Sequence, residues 1–173
     1  KQSEKDKMID QAEIAYGQFL DALRCDWRND PNSMETPRRV AKAYVNDLWA
    51  GRYTAMSPIT SFPSDGYDGI IIERNIPLTS MCSHHHQTIG GAVHIGYIAG
   101  EGGQVIGLSK LNRIVELYGR RGAIHNCVSC RGVKHQGAAM VTTKASGVFR
   151  DNKNLSRKEF FDSLKINNGG HNI

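Results

Sequence analysis

The feature that most constrains this chain is a change of texture at Gly69. Upstream of it, Met8, Ile9, Ala12, Tyr16, Phe19, Leu20 and Leu23 recur at helical spacing and predict a helix over residues 4–23. A second helix is expected from Thr36, read as an N-cap, with Pro37 at the first helical position. Its buried stripe is Val40, Ala41, Tyr44, Val45, Leu48 and Trp49, and Gly51 is expected to end it. Residues 52–68 hold turn-prone clusters and read as a surface connection. From Gly69 the pattern becomes strand-like, at Gly69–Arg74, Ala92–Ile98, Gln104–Ile106 and Ala138–Lys144. Ser109 reads as the cap of a third helix with Leu111, Ile114, Val115 and Tyr118 inward. A capping box at Ser156–Glu159 opens a last helix carrying Phe160, Phe161 and Leu164. Helices followed by an antiparallel-looking sheet with a helix returning onto it make an α+β fold. The expected division is a helical region over 1–66, a sheet-containing region over 67–166 and a frayed tail over 167–173.

Length and charge narrow the function classes. A chain of 173 residues is long enough for one well-buried core. No run approaches the roughly 20 apolar residues of a membrane span. Lys1–Asp6 is charged and has no secretory h-region, so a cytoplasmic protein is expected. The net charge is +5, but the basic residues form no run and no aromatic ladder accompanies them, which argues against nucleic acid. A solvated surface and a local basic pocket for a polyanionic small molecule both account for the charge.

The chemistry-bearing residues fall in two patches. In Cys82-Ser-His-His-His86, Cys82 and His85 have a chelate spacing common at zinc. In His125-Asn-Cys-Val-Ser-Cys130, Cys127 and Cys130 repeat it. Each patch alone has an ordinary alternative, surface histidines in one case and buried thiols or a redox pair in the other. Together they favour a metal over a disulfide framework. Four ligands would close a structural site, and three would leave a position for water. Spacing does not choose between these. Near the start of the third helix, Ser109, Lys110 and Arg113 form a candidate anion seat. A capped helix with solvated cations accounts equally well for that segment. Arg131 and Lys134 follow the second patch, and Arg39 and Lys42 share a face of the second helix.

Taken in order, Thr36-Pro-Arg-Arg-Val-Ala-Lys42, Cys82-x-His-His85, Val105-Ile-Gly-Leu-Ser-Lys-Leu-Asn-Arg-Ile-Val115 and His125-x-Cys-x-x-x-Arg-Gly-Val-Lys134 resemble the motifs of the GTP cyclohydrolase I family. Gly147-Val-Phe149 and Arg157-Lys-Glu-Phe160 resemble its ending. The resemblance implies a tunnelling fold, a four-stranded antiparallel sheet with two helices on one face, behind an N-terminal helical extension. It further implies a homodecamer with active sites at subunit interfaces. The implied activity is zinc-dependent hydrolysis of GTP to formate and 7,8-dihydroneopterin triphosphate, feeding tetrahydrofolate, pterin or deazapurine synthesis. By position, Cys82, His85 and Cys127 match the zinc ligands, and His84 and His125 match the catalytic histidines. Ser109, Lys110, Arg113 and Arg131 match substrate contacts, as do Arg39 and Lys42 from a neighbouring subunit. Cys130 matches no ligand.

The chain departs from the family in two places. Ser83 stands where the family has Glu, which removes a charge beside the histidines while leaving zinc binding in place. Ile124 is also followed at once by His125, where the family has a further helix and strand of roughly 20–30 residues. That stretch includes the Gln-Glu pair that anchors guanine. Deleting an interior strand would leave backbone groups unpaired, so a segment is expected there in the natural protein. Two rivals stand beside this reading. One is a non-catalytic structural zinc module closed by Cys130. The other is a related tunnelling-fold enzyme, whose three-histidine or metal-free pattern this chain does not match.

Overall fold

The computed structural model describes residues 2–100, 102–121, 143–151, 153 and 155–165. Helix α1 (Gln2–Ala22) packs antiparallel to α2 (Thr36–Ala43). Ile9, Ala41 and Val45 are the buried centre of that contact, with Met8 and Ala12 against them. Arg38 ties the two helices with bonds of 2.5 Å to Asp10 and 2.8 Å to Glu13. Gly17 allows Trp27 to close over α1, since a Cβ there would lie 3.1 Å from the indole. Phe19 and Leu23, expected on the buried stripe, are instead 53% and 58% exposed. The reason is geometric: Gly17 already lies against Pro37 at the start of α2, so no part of α2 reaches further along α1.

The second helix does not end at Gly51. It widens into a π-helical turn (Tyr44–Leu48) and resumes as α3 (Ala50–Tyr53). Gly51 is instead a point of close approach, because a Cβ would sit 2.0 Å from the Leu117 carbonyl oxygen. Its N–H donates to the Arg120 carbonyl at 3.1 Å.

Strand β1 (Ser61–Pro63) lies in the stretch expected to be only a connection, and pairs antiparallel with β4 (Gln104–Ile106). Strands β2 (Ile70–Met81) and β3 (Thr88–Ile98) form a long antiparallel hairpin. The strand expected over Gly69–Arg74 runs on to Met81 across a register shift between Glu73 and Ile76. Asn75 takes a left-handed φ of 58° in that shift, and its N–H donates to His94 Nδ1 at 3.2 Å. Among the described residues the strands thus form two two-stranded antiparallel sheets. Helix α4 (Leu108–Gly119) lies on the β2–β3 hairpin. Ile76, Leu111 and Val115 are the core of that layer, with Leu78, Val93, Ile95 and Tyr97 around them. A 3-10 turn (Gly147–Arg150) and α5 (Leu155–Lys165) complete the described chain, which is α+β as expected. No helix among the described residues is long and apolar enough to cross a membrane.

Four local expectations are corrected. Thr36 is the first helical residue and not the cap, because the Glu35 carbonyl accepts the first helical bond, from Arg39 at 2.9 Å. Ser109 is likewise inside α4, because the Gly107 carbonyl accepts from Lys110 at 2.8 Å. Ser156 lies inside α5, which starts at Leu155. Tyr118 is 53% exposed, since the buried line of α4 runs Leu111–Val115–Gly119 and leaves it to one side. Of the strand expected at 138–144, residues 138–142 lie outside the described residues, and 143–144 belong to no element.

Candidate metal hairpin and anion seat

The first patch forms the turn of the β2–β3 hairpin. The Cys82 N–H donates to the Gln87 carbonyl at 2.8 Å, and the His86 N–H donates back to the Cys82 carbonyl at 3.0 Å. These bonds close a four-residue loop over Ser83, His84, His85 and His86, all of them exposed. Cys82 itself is fully buried, at 0% exposure. Its neighbours on the strand fix its depth: Met81 is buried, and the Ser80 hydroxyl donates to the Gly119 carbonyl at 2.7 Å. The Cys82 thiol lies 3.7 Å from His84 Nδ1, and the His84 and His85 rings have centroids 6.4 Å apart.

A buried sulfur with two imidazoles on one tight loop is a donor set that suits zinc. Among the described residues no group of three or more His, Cys, Asp or Glu is arranged to hold a metal ion. His125, Cys127, Cys130, Arg131 and Lys134 lie outside the described residues, so the structure speaks only to the Cys82 half of the expected centre.

His86, to which the sequence gave no role, reaches across to the N-terminal helices. Its backbone is left-handed, with φ 53°, and its Nδ1 lies 3.2 Å from the Tyr44 hydroxyl. Its ring is edge-on to Trp49, with centroids 5.2 Å apart and an 80° angle. Burial, with the Tyr16 phenol contributing, raises the Tyr44 phenol above its ordinary pKa, so at neutral pH it is a hydroxyl donor. The sequence signal for this contact was a third consecutive histidine, which without the helix opposite it has no partner to suggest.

The anion seat is built separately. Ser109, Lys110 and Arg113 lie on the first turns of α4. Lys110 and Arg113 line a cleft of about 240 Å³ that reaches Arg120 at the far end of α4, and its other wall includes Thr54, Met56 and Ile59. Arg120 is held by Glu116 at 3.0 Å and faces Asp47 at 3.9 Å. Among the described residues neither Lys110 nor Arg113 forms an ion pair, so both are available to an anion. Arg39 is exposed on α2 and paired with Glu35 at 3.2 Å, and Lys42 is exposed one turn further on.

Lys110 and Cys82 lie towards opposite ends of one layer. Helix α4 runs beside β2 in the same direction: Asn112 bonds Glu73 near the start of the strand, and Gly119 meets Ser80 near its end. Lys110 is therefore roughly 14 Å back along the helix from Gly119, while Cys82 lies beyond the far end of the strand.

The GTP cyclohydrolase I family matches residues 12–124 of the chain. The chain is similar to a GTP cyclohydrolase 1 of Mycolicibacterium paratuberculosis, 34% identical over 88% of each. It is also similar to that of Aeromonas salmonicida, at 36% over 85% of this chain and 79% of the relative. A third, from Enterobacter sp. (strain 638), is 33% identical over 81% of this chain and 75% of the relative. The first alignment spans 185 positions, more than the 173 residues of this chain, so the relative carries residues there that this chain lacks.

Proposed function

The chain belongs to the GTP cyclohydrolase I family, and we propose that it hydrolyses GTP to formate and 7,8-dihydroneopterin triphosphate with Cys82, His85 and Cys127 as zinc ligands. The observation that carries the zinc reading is the closed hairpin that holds the buried Cys82 thiol beside the His84 imidazole, with His85 next in the same four-residue loop. Zinc held there would supply a Lewis acid that makes hydroxide available near neutral pH.

The chain's own residues have separable tasks in this reading. His84, exposed and next to the thiol, moves protons to and from the purine ring, with His125 as its partner. Ser109, Lys110 and Arg113 hold the triphosphate, with Arg131, Arg39 and Lys42 adding charge. That positioning fixes the base relative to the metal, which converts a bimolecular encounter into a held geometry. The placement of Lys110 and the hairpin towards opposite ends of the α4–β2 layer supports a site shared between subunits, and the family resemblance implies a homodecamer. The product would enter tetrahydrofolate, pterin or deazapurine synthesis in the cytoplasm.

Purified protein with stoichiometric zinc should release formate from GTP and generate pterin fluorescence. Absence of both from intact, zinc-loaded chain would overturn the reading. The rival, a structural zinc module closed by Cys130, predicts a different outcome for one variant. Cys130→Ala is expected to retain zinc and activity, measured by metal analysis and formate release. Loss of the metal would favour the closed four-ligand site.

A segment between Ile124 and His125 is part of this proposal. It is supported by the end of the family match at Ile124 and by the aligned span that exceeds the chain's own length. The natural protein is expected to be heavier than 19.2 kDa by roughly 20–30 residues. Intact-mass spectrometry returning 19.2 kDa would refute the segment and remove the expected guanine anchor with it.

A further inference from the structure

His86 is the one loop histidine that the catalytic reading leaves unused, yet it is the residue that joins the metal hairpin to the N-terminal helices. The join depends on the π-helical turn. Across that turn the Trp49 N–H donates to the Tyr44 carbonyl at 2.9 Å, a bond spanning five residues instead of four. At ordinary α-helical pitch, residues five apart point about 140° away from each other. The widened turn brings Tyr44 and Trp49 to one face, where their rings meet edge to face with centroids 4.9 Å apart. His86 closes the cluster: its ring centroid is 5.8 Å from Tyr44 and 5.2 Å from Trp49, and its Nδ1 is 3.2 Å from the Tyr44 hydroxyl. Arg52 covers the Trp49 ring at 4.3 Å, and the indole Nε1 is buried without a hydrogen-bond partner among the described residues.

The backbone adds a second, independent observation. With φ 53°, His86 occupies a conformation that glycine adopts without strain and most side chains avoid. A histidine there incurs strain that a glycine would not, and its side chain is the part that reaches Tyr44. Widened helical turns of this kind are frequent at functional sites.

We propose that His86 is a positioning residue for the metal-binding loop: by docking on the Tyr44–Trp49 pair it holds the loop in the conformation in which its donors meet zinc. This rests on the zinc reading above. The docking is mechanical. The loop is only four residues long, so anchoring its last residue restricts the two histidines before it. Trp49 consequently becomes a reporter of the loop.

The decisive variant is His86→Gly, because glycine relieves the left-handed backbone while deleting the ring. If only loop conformation mattered, it would bind zinc as well as the parent or better. The proposal expects zinc affinity, measured by competition with a chromophoric chelator, to fall about tenfold or more, the size of effect seen when groups orienting metal ligands are removed. Tyr44→Phe keeps the ring packing and removes the hydroxyl, and its zinc affinity is expected to fall roughly twofold to tenfold. In a Trp27→Phe background Trp49 is the single indole, as the chain has two tryptophans. Zinc is expected to change its emission, and His86→Gly to abolish that change. Unchanged zinc affinity in His86→Gly, or a preserved emission response, would overturn the proposal while leaving the zinc reading intact. Failure of the parent chain to bind zinc at all would overturn both.

Discussion

Cys82→Ala is expected to strip the zinc and lower GTP turnover by about a thousandfold or more, since a bound metal contributes several kcal/mol of transition-state stabilisation. The thiol is fully buried at the end of β2, where alanine leaves no donor atom in its place. The informative comparison is with the two histidines beside it. His85→Ala is expected to lose zinc and activity together, as a ligand should. His84→Ala is expected to keep its zinc and lose roughly 10²–10⁴-fold in kcat, the range for removing a general acid–base group. Metal content by elemental analysis and formate release on the same preparations separate the roles. The 3.7 Å contact between the Cys82 thiol and His84 Nδ1 makes this a sharp test. If His84→Ala loses the metal and His85→Ala keeps it, the two assignments exchange.

How far residues alone led can be judged element by element. The α1–α2 pairing was legible because Ile9, Ala41 and Val45 lie on helical stripes that need only each other for burial. The α4–hairpin layer was legible through Leu111 and Val115 on the helix and the alternation of β3. Strand β1 was not, because three residues ending in Pro63 become a strand only by pairing with β4, some forty positions later. The strand expected over Gly69–Arg74 stopped short of Met81, because β2 continues only through a register shift that absorbs the left-handed Asn75. The helix starts at Thr36 and Ser109 were misplaced by one or two residues because a preceding carbonyl, not the hydroxyl, takes up the first free N–H. In the candidate site, chelate spacing singled out Cys82 and His85, and the family resemblance added His84. The docking of His86 was hidden, because it depends on a π-helical turn that brings two aromatic rings to one face. The separation of Lys110 from Cys82 was also hidden, because it follows from the direction in which α4 lies along β2.

That separation leads to the second large effect. If each active site takes its metal half from one chain and its triphosphate half from another, two inactive variants should repair each other. Cys82→Ala destroys the metal half and leaves Lys110 and Arg113 intact. The double variant Lys110→Ala, Arg113→Ala removes two cations with no ion-pair partner among the described residues, and leaves the hairpin intact. Each preparation alone is expected to show almost no formate release. After dissociation, mixing in equal amounts and reassembly, one site in four would receive both intact halves by chance. Activity should therefore return to about a quarter of the parent level, as expected for a heterologous interface that closes a ring. A chain that houses its whole site can gain nothing from mixing, because every chain in the mixture carries one damaged half. The control is to mix without dissociation, where exchange is blocked and no recovery is expected. The same experiment bears on Arg39 and Lys42, which lie on the helix whose continuation docks His86. An Arg39→Ala, Lys42→Ala chain mixed with Cys82→Ala should also recover if those cations serve a neighbour's metal. It should stay inactive if they serve their own. The recovered fraction therefore reads out, cation by cation, which chain each one serves.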